Sequence, residues 1–218
     1  MKLKGALVAV TVALAGCAST APHYYSLQAI EDSPPAAPVQ GAYAISVQPV
    51  VIPQQVARPQ VVVRMAPGSE VVPLASALWV GPLEDQIRLS LAAELTRRLG
   101  VLDVGSARID NNLPVWQIYV DVQRFDAVYG QQVQQEIVWR MVPQGIPGKP
   151  APRVCAAQAA LPVQQGMGAL VEGHRQALAG IAQAMTRALE TGAKKGRGAL
   201  NDGVAALPDG VHFRGCTG

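Results

Sequence analysis

Cys17 is the residue whose position most clearly indicates a specific chemistry. It directly follows two small residues and an uncharged apolar run over 6–14, and Lys2 and Lys4 lie at the start of that run. A positive start, a short apolar stretch and small residues at the cleavage point are typical of a secretory signal peptide. The run is shorter than the roughly 20 residues that a membrane-spanning helix needs. The sequence therefore predicts export, with residues 1–16 removed as a signal peptide.

The four residues Leu14-Ala15-Gly16-Cys17 resemble the lipobox of bacterial lipoproteins. The resemblance implies that the Cys17 thiol is acylated, that the chain is cut before it, and that the new amine is acylated too. Two acyl chains hold a protein on a membrane far more firmly than one, at about 0.8 kcal/mol per buried CH₂. The alternative is an ordinary secretion signal that happens to contain a cysteine. Ala18 stands where an inner-membrane retention signal has Asp, which favours the inner leaflet of the outer membrane, with the body in the periplasm.

Cys155 and Cys216 are the two cysteines that lipidation would leave over. In an oxidising periplasm two remaining thiols most simply pair, and the bond would tie the C-terminal tail to a strand of the core. A buried, free Cys155 with a loose Cys216 is the alternative. His23, His174 and His212 show no metal-ligand spacing relative to these cysteines, so no metal site is predicted.

No familiar catalytic or cofactor motif occurs in the sequence, whether a Gly-x-Ser-x-Gly elbow, a His-Glu-x-x-His pair, a phosphate loop or a dinucleotide fingerprint. His174 lies on the apolar face of a predicted helix, where a packed histidine is a better interpretation than a general base. Without the signal peptide, 16 basic and 15 acidic residues remain. A protein with so little net charge lacks the excess of positive charge that is typical of nucleic-acid binding. The sequence therefore predicts a protein that is not an enzyme and has no cofactor.

Apolar periodicity predicts the elements of the fold. Leucine or isoleucine recurs every four residues over 82–99, and 168–189 has a similar apolar stripe, so both segments are expected to be helices. A long hairpin is expected over 115–141, with a bulge near Arg124 where the alternation slips. Shorter strands or hairpins are expected over 24–27, 43–50, 60–74 and 153–163.

These elements predict a single layered domain of the α/β class, with α+β as the alternative. It would contain a mixed sheet with a long antiparallel hairpin and two main helices. The predicted organisation is a signal peptide at 1–16, a lipidated tether at 17–23, a folded domain at 24–190 and a flexible Gly-rich tail at 191–218.

An ordered set of motifs follows the lipobox. It comprises an aromatic pair before Leu at 24–27, a valine-rich strand into Pro at 47–53, an Arg-Pro-Gln-Val-Val-Val-Arg run at 58–64, and a Trp ahead of a leucine-rich helix at 79–99. This order resembles the ABC-type transport auxiliary lipoproteins, the PqiC (YmbA) family, and the likeness extends over most of the chain to residue 190. Val56-Ala57 and Gly81 depart from the family pattern.

The resemblance implies a periplasmic domain that forms homo-oligomeric rings under the outer membrane. It also implies docking to an MCE-domain protein and its inner-membrane permease, which together form a lipid conduit, so the function would be assembly and not catalysis. Arg58 and Arg64 are then candidate partner-binding residues; alternatively, both flank a strand and pair with nearby carboxylates. A pilotin-like or structural lipoprotein that assists a secretion channel is the second functional hypothesis.

Overall fold

A mixed eight-stranded sheet forms the framework of the protein and carries two helices on one face. The computed structural model describes residues 21–28, 43–65, 70–105, 113–194 and 206–218. Within these ranges the elements are β1 (His23–Tyr25), β2 (Ala44–Val47), β3 (Gln60–Arg64), β4 (Val71–Trp79), α1 (Leu83–Leu99), β5 (Val115–Val128), β6 (Gln132–Gln144), β7 (Arg153–Pro162), α2 (Met167–Lys194) and β8 (Val211–Thr217).

β5 is the strand on which the sheet is assembled. The strand order is β1-β4-β3-β5-β6-β7-β8, and β2 also pairs with β5. β6 is antiparallel to β5 along nearly its whole length. The opposite edge of β5 is shared: β2 lies parallel to its first residues, and β3 reaches only its last residue, where Arg64 pairs with Val128. Because the sheet is mixed and both helices pack on one face, the predicted α/β class is confirmed.

The long hairpin of β5 and β6 follows the pattern predicted from sequence. Gly130 lies at its tip with a φ of 68°, a left-handed conformation that glycine adopts without steric cost. The pairing register shifts between Val122 and Arg124. This is the predicted bulge, and it occurs where the alternation of apolar residues slips by one position.

One apolar core lies between the sheet and the helices. The apolar stripe of α1 is buried from Leu83 to Leu95, its last member Leu99 is partly buried, and α2 packs against α1, β6 and β7. Burial of one such leucine or isoleucine side chain contributes about 2 kcal/mol. Small residues let α2 approach the sheet closely: a Cβ at Gly180 would lie 2.6 Å from Cγ2 of Val211. The largest fully buried side chains are Trp116, Trp139, Leu27, Ile45, Leu83, Ile87, Leu91, Leu95, Ile118, Ile137, Met141 and Leu170.

The termini of α1 are formed by the residues that the sequence indicates. Glu84 and Asp85 lie in its first turn, and two arginines lie in its last turn, as the helix dipole favours. Gly100 ends the helix with a φ of 63° and donates its backbone N–H to the Thr96 carbonyl. Pro82 immediately precedes the first helical residue and does not itself belong to the helix, contrary to expectation.

The C-terminal region differs from the flexible tail predicted over 191–218. α2 continues to Lys194, and β8 pairs antiparallel with β7. Val211 is buried against Gly180, and the Phe213 ring lies 6.0 Å from that of Trp139. The high glycine content conceals this strand, because only two apolar residues two positions apart mark its buried face. Residues 195–205 lie outside the described ranges.

Cys155 and Cys216 face each other across β7 and β8. They are paired in register with Cα atoms 4.0 Å apart, and their sulfur atoms are bonded. The cysteines are 61 residues apart in sequence, so the bond encloses all of α2. It connects the last strand of the sheet to the core beside Trp139, which pairs with Cys155 on its other side.

Substitution Cys216→Ser is expected to lower the free energy of unfolding by up to about 4 kcal/mol, because a crosslink over a loop of this length restricts the unfolded chain. Chemical denaturation with and without a thiol reductant measures the effect. The reductant should destabilise the parent protein by a similar amount and leave Cys216→Ser unchanged. The exposed neighbour substitution Thr217→Ser serves as the control. Equal stability of the parent protein in both conditions would contradict the pairing.

Candidate functional site

The segment that follows the predicted tether is held firmly by the sheet and α1. β1 lies parallel to the end of β4, with Tyr24 opposite Leu78. The backbone N–H of Val80 donates a 2.9 Å hydrogen bond to the carbonyl of Tyr25. Leu27 then enters the core and is only 2% exposed. Cys17 itself lies outside the described residues, six positions before His23.

Gln86 and Ser90 of α1 fasten this segment through its backbone. The Leu27 N–H donates to Oε1 of Gln86 at 3.0 Å, and the Ser90 hydroxyl donates to the Leu27 carbonyl at 3.0 Å. Gln86 Nε2 donates in turn to the Gly81 carbonyl at 2.9 Å. Gln86 is 4% exposed, so these bonds satisfy groups that could not reach water. We call Leu27, Gln86 and Ser90 the N-terminal clamp.

The clamp was not recognised from sequence. Gln86 is polar, so the apolar periodicity that predicts α1 does not mark it as buried. A signal was nevertheless present, because Gln86 lies three residues after Leu83 and so shares its buried face. Its partner could not be identified, since Leu27 lies 59 positions away and no local pattern connects the two residues.

The sheet face opposite the helices, which we call the open face, has a substantial apolar component. Tyr119, Arg140 and Val154 are side by side in β5, β6 and β7, and the Arg140 guanidinium lies 4.5 Å from the centre of the Tyr119 ring. Strand register and alternation place the following exposed hydrophobic side chains on the open face: Tyr24, Val51, Val71, Val80, Tyr119 and Val154.

Arg58 and Arg64 lie at opposite ends of β3 and are not brought together. Arg64 is half-buried, and its Nη2 is 3.4 Å from Oδ2 of Asp126. The same carboxylate oxygen accepts a 2.8 Å hydrogen bond from Nε of Arg124. Arg58 is exposed in the turn before β3, and it makes no ion pair with a carboxylate in the described part of the chain. The two arginines therefore have different surroundings: a local carboxylate partner for Arg64 and an open surface for Arg58.

His174 is part of a buried polar cluster at the centre of the protein. Its ring stacks on Phe125 with centroids 4.1 Å apart and an interplanar angle of 7°. Gln135 Nε2 donates to Nδ1 of His174 at 3.1 Å and to its carbonyl at 3.0 Å. Burial lowers the pKa of His174 to about 3. The imidazole is therefore neutral at ordinary pH and serves as a packed core group.

Other chemical features are few within the described ranges. No group of three or more His, Cys, Asp or Glu side chains there could hold a metal ion. In the same ranges, no helix has the length and apolar character required to cross a bilayer. Two buried polar atoms there, Oε1 of Gln135 and Nε1 of Trp139, have no hydrogen-bond partner. The exposed features with potential for contact are thus the open face and Arg58.

The described residues form one layered α/β domain whose first strand is clamped to α1. The sequence model of the family "ABC-type transport auxiliary lipoprotein component" matches residues 25–186. The chain belongs to this family, and the resemblance drawn from its motifs is confirmed. It is thus an auxiliary component of an ABC-type transport system and a lipoprotein of the cell envelope.

Solved structures of other proteins share this fold. A crystal structure of an uncharacterised protein is 22% identical, covers 78% of this chain and 99% of its own, and superposes with a TM-score of 0.61. A crystal structure of a Xanthomonas campestris protein is 19% identical, covers 78% of this chain and 95% of its own, with a TM-score of 0.57. At these identities the likeness concerns the fold alone. No curated protein sequence matches the chain significantly.

Removal of the glutamine in the clamp is expected to destabilise the protein. Gln86→Ala leaves the buried Leu27 N–H and the Gly81 carbonyl without partners, which should lower the free energy of unfolding by about 2 kcal/mol. Limited proteolysis should then cut the segment 21–28 faster than in the parent protein. The exposed substitution Gln158→Ala should change neither quantity. Unchanged stability of Gln86→Ala would show that the clamp contributes nothing.

The buried histidine is expected to make stability dependent on pH. Its pKa is lowered in the folded state, so the unfolded chain takes up a proton below about pH 6.5 while the folded protein does not. Its contribution is therefore present above that pH and is lost as the pH falls, by about 2 kcal/mol between pH 7 and pH 5. Denaturation curves at both pH values should show this loss in the parent protein and in His212→Gln. His174→Gln should be less stable at pH 7 but show a correspondingly smaller loss.

Proposed function

We propose that this protein is anchored in the inner leaflet of the outer membrane and serves an MCE-type lipid transport system as a docking component. The observation that carries the proposal is the family match over residues 25–186, which begins eight positions after Cys17 of the lipobox. Acyl groups on Cys17 would supply the anchor, and the folded domain would face the periplasm. The mechanism is assembly of an envelope-spanning conduit, without a chemical step on a substrate.

The geometry of the N-terminus fits a body held close to its membrane. His23 is six positions after Cys17, and an extended chain spans at most about 3.6 Å per residue, so β1 starts within about 22 Å of the acylated cysteine. β1 continues into Leu27 and the N-terminal clamp. The anchor would therefore be attached to the core and not to a loose surface segment.

Two features support the periplasmic location. Ala18 follows the cysteine, where Asp would favour retention at the inner membrane. The Cys155–Cys216 pair also fits an oxidising compartment, since such bonds persist in the periplasm and are rare in the cytosol.

We propose Arg58 and Arg64 as contacts for the MCE-domain protein, with several copies of this chain arranged as a homo-oligomeric ring around the end of the conduit. Arg58 is the stronger candidate, because its exposed guanidinium lies in a turn and has no ion-pair partner among the described carboxylates. Arg64 shares Asp126 with Arg124 and retains 23% of its side-chain exposure, so it would contribute at the edge of such a contact. The inner-membrane permease would be held indirectly through the MCE protein.

Affinity purification of the lipidated protein from detergent-solubilised membranes tests the assignment. Recovery of an MCE-domain protein with its permease, identified by mass spectrometry, is the expected result. Recovery of a secretin would support the pilotin-like alternative, and recovery of neither would contradict the transport role. Cys17→Ser should lose the added acyl mass and leave the membrane fraction, which checks the anchor separately.

Charge reversal tests the proposed contact. Arg58→Glu should reduce recovery of the MCE-domain protein severalfold, while Arg64→Glu should have a smaller effect on recovery because Arg64 is already engaged with Asp126. Lys149→Glu, which reverses an exposed cation in the turn between β6 and β7, is the matched control. Unchanged recovery with Arg58→Glu would remove this residue from the interface.

A further inference from the structure

Three apolar side chains cluster where the tether enters the fold. Tyr24 pairs with Leu78 in register, and Val80 follows two positions after Leu78, directly beyond the last residue of β4. Ala77 and Trp79 are buried, so the alternation of the strand directs Leu78 to the open face, and the exposed Val80 follows it there. Tyr24 is 63% exposed and Val80 is 62% exposed. We call Tyr24, Leu78 and Val80 the anchor-side patch.

The position of the anchor-side patch relative to the lipid is restricted by chain length. Tyr24 is seven residues after Cys17, so it lies within about 25 Å of the acylated cysteine even if the chain between them is fully extended. Its backbone belongs to β1, which is paired with β4 and continues into the clamp. The patch therefore cannot move away from the membrane without the whole body moving.

The chemistry of the patch also matches a bilayer surface. Tyrosine is favoured at the level of the lipid headgroups, because its ring is apolar and its hydroxyl remains hydrated. The Trp79 N–H donates a 2.7 Å hydrogen bond to the Pro59 carbonyl, which brings the turn containing Arg58 alongside the end of β4. A cation beside an apolar patch is favourable near the phosphates of anionic lipids.

We propose that the anchor-side patch rests on the phospholipid surface into which Cys17 inserts its acyl chains. This inference rests on the lipid anchoring proposed above and adds a defined orientation to it. With Tyr24 and Val80 against the headgroups, the β1 edge of the sheet faces the membrane. β7 lies five strand spacings away, about 24 Å across the sheet, and is directed towards the periplasm. Arg58 would then meet its partner close to the bilayer, where a lipid conduit must end.

Fluorescence quenching by brominated lipids tests the orientation directly. The full-length lipidated protein is reconstituted into vesicles of phosphatidylethanolamine and phosphatidylglycerol, with or without bromine on the acyl chains. Val80→Trp places a reporter in the patch, and Val154→Trp places one on the same sheet face at β7, where the parent valine is 41% exposed. The three native tryptophans give a background that is measured in the parent protein.

Quenching of the added tryptophan is expected to be about twofold or more stronger in Val80→Trp than in Val154→Trp, because an interfacial group penetrates only about 5–10 Å. Tyr24→Trp should repeat the result if Val80→Trp does not fold. Equal quenching at both positions would overturn the proposed orientation.

Intact mass and vesicle flotation separate this inference from the anchoring on which it rests. Absence of acyl mass on Cys17 and failure to float would overturn the anchoring and the orientation together. Acylated, floating protein with an unquenched reporter at residue 80 would overturn the orientation alone. The patch would be reassigned to a protein interface by two results together. These are loss of the MCE-domain protein from the affinity purification with Tyr24→Ser or Val80→Ser, and absence of lipid quenching of the reporters.

Discussion

The sheet depends on the backbone hydrogen bonds that β5 makes along its two edges. One edge of this strand is occupied by β6, and the other receives two segments from different parts of the chain: β2 at its start and β3 at its end. Val51 bridges to Asp121 between them, and the bulge at Val122 and Arg124 follows directly. A bulge increases local twist. It therefore separates the part of β5 that carries β2 from the part that carries the β3–β4 hairpin and, beyond it, the anchored strand β1.

A series of buried rings connects β4 and the last part of β5 to α2. Trp79 of β4 meets Phe125 of β5 edge-on at 6.3 Å, and Phe125 stacks on His174 of α2 at 4.1 Å. The same β4 supports β1, whose continuation is bonded to α1 through Gln86 and Ser90. The strand nearest the proposed lipid anchor is thus linked to α1 by hydrogen bonds of its continuation, and to α2 indirectly through Trp79 and Phe125. This explains how so short an edge strand remains ordered, since three residues alone form too few hydrogen bonds.

Elements that depend on local sequence patterns were predicted from sequence, whereas contacts between residues far apart in the chain were not. α1 and the β5–β6 hairpin were predicted well, because their periodicity is local and their terminal residues agree with it; even the bulge was visible as a slip in alternation. β8 was missed because glycine obscures its pattern. The parallel pairing of β2 with β5 and the bond from Leu27 to Gln86 join residues more than 50 positions apart. Arg64 is the last residue of β3, and its partner Asp126 lies 62 positions away and could not be identified from sequence.

A short tether lowers the affinity for the membrane that the folded domain itself must supply. If acyl chains on Cys17 supply the affinity for the membrane, any contact between the body and the bilayer becomes intramolecular, with an effective concentration in the millimolar range for a short linker. A patch as small as Tyr24, Leu78 and Val80, which would bind a membrane only weakly alone, is then sufficient to select one orientation. A partner that arrives from the inner membrane has no such advantage and must be held by its own interface. Because Arg58 borders the patch, fixing the orientation of the body would also present this arginine at a constant height above the bilayer, so that every copy in the proposed ring would offer the same contact to the proposed conduit.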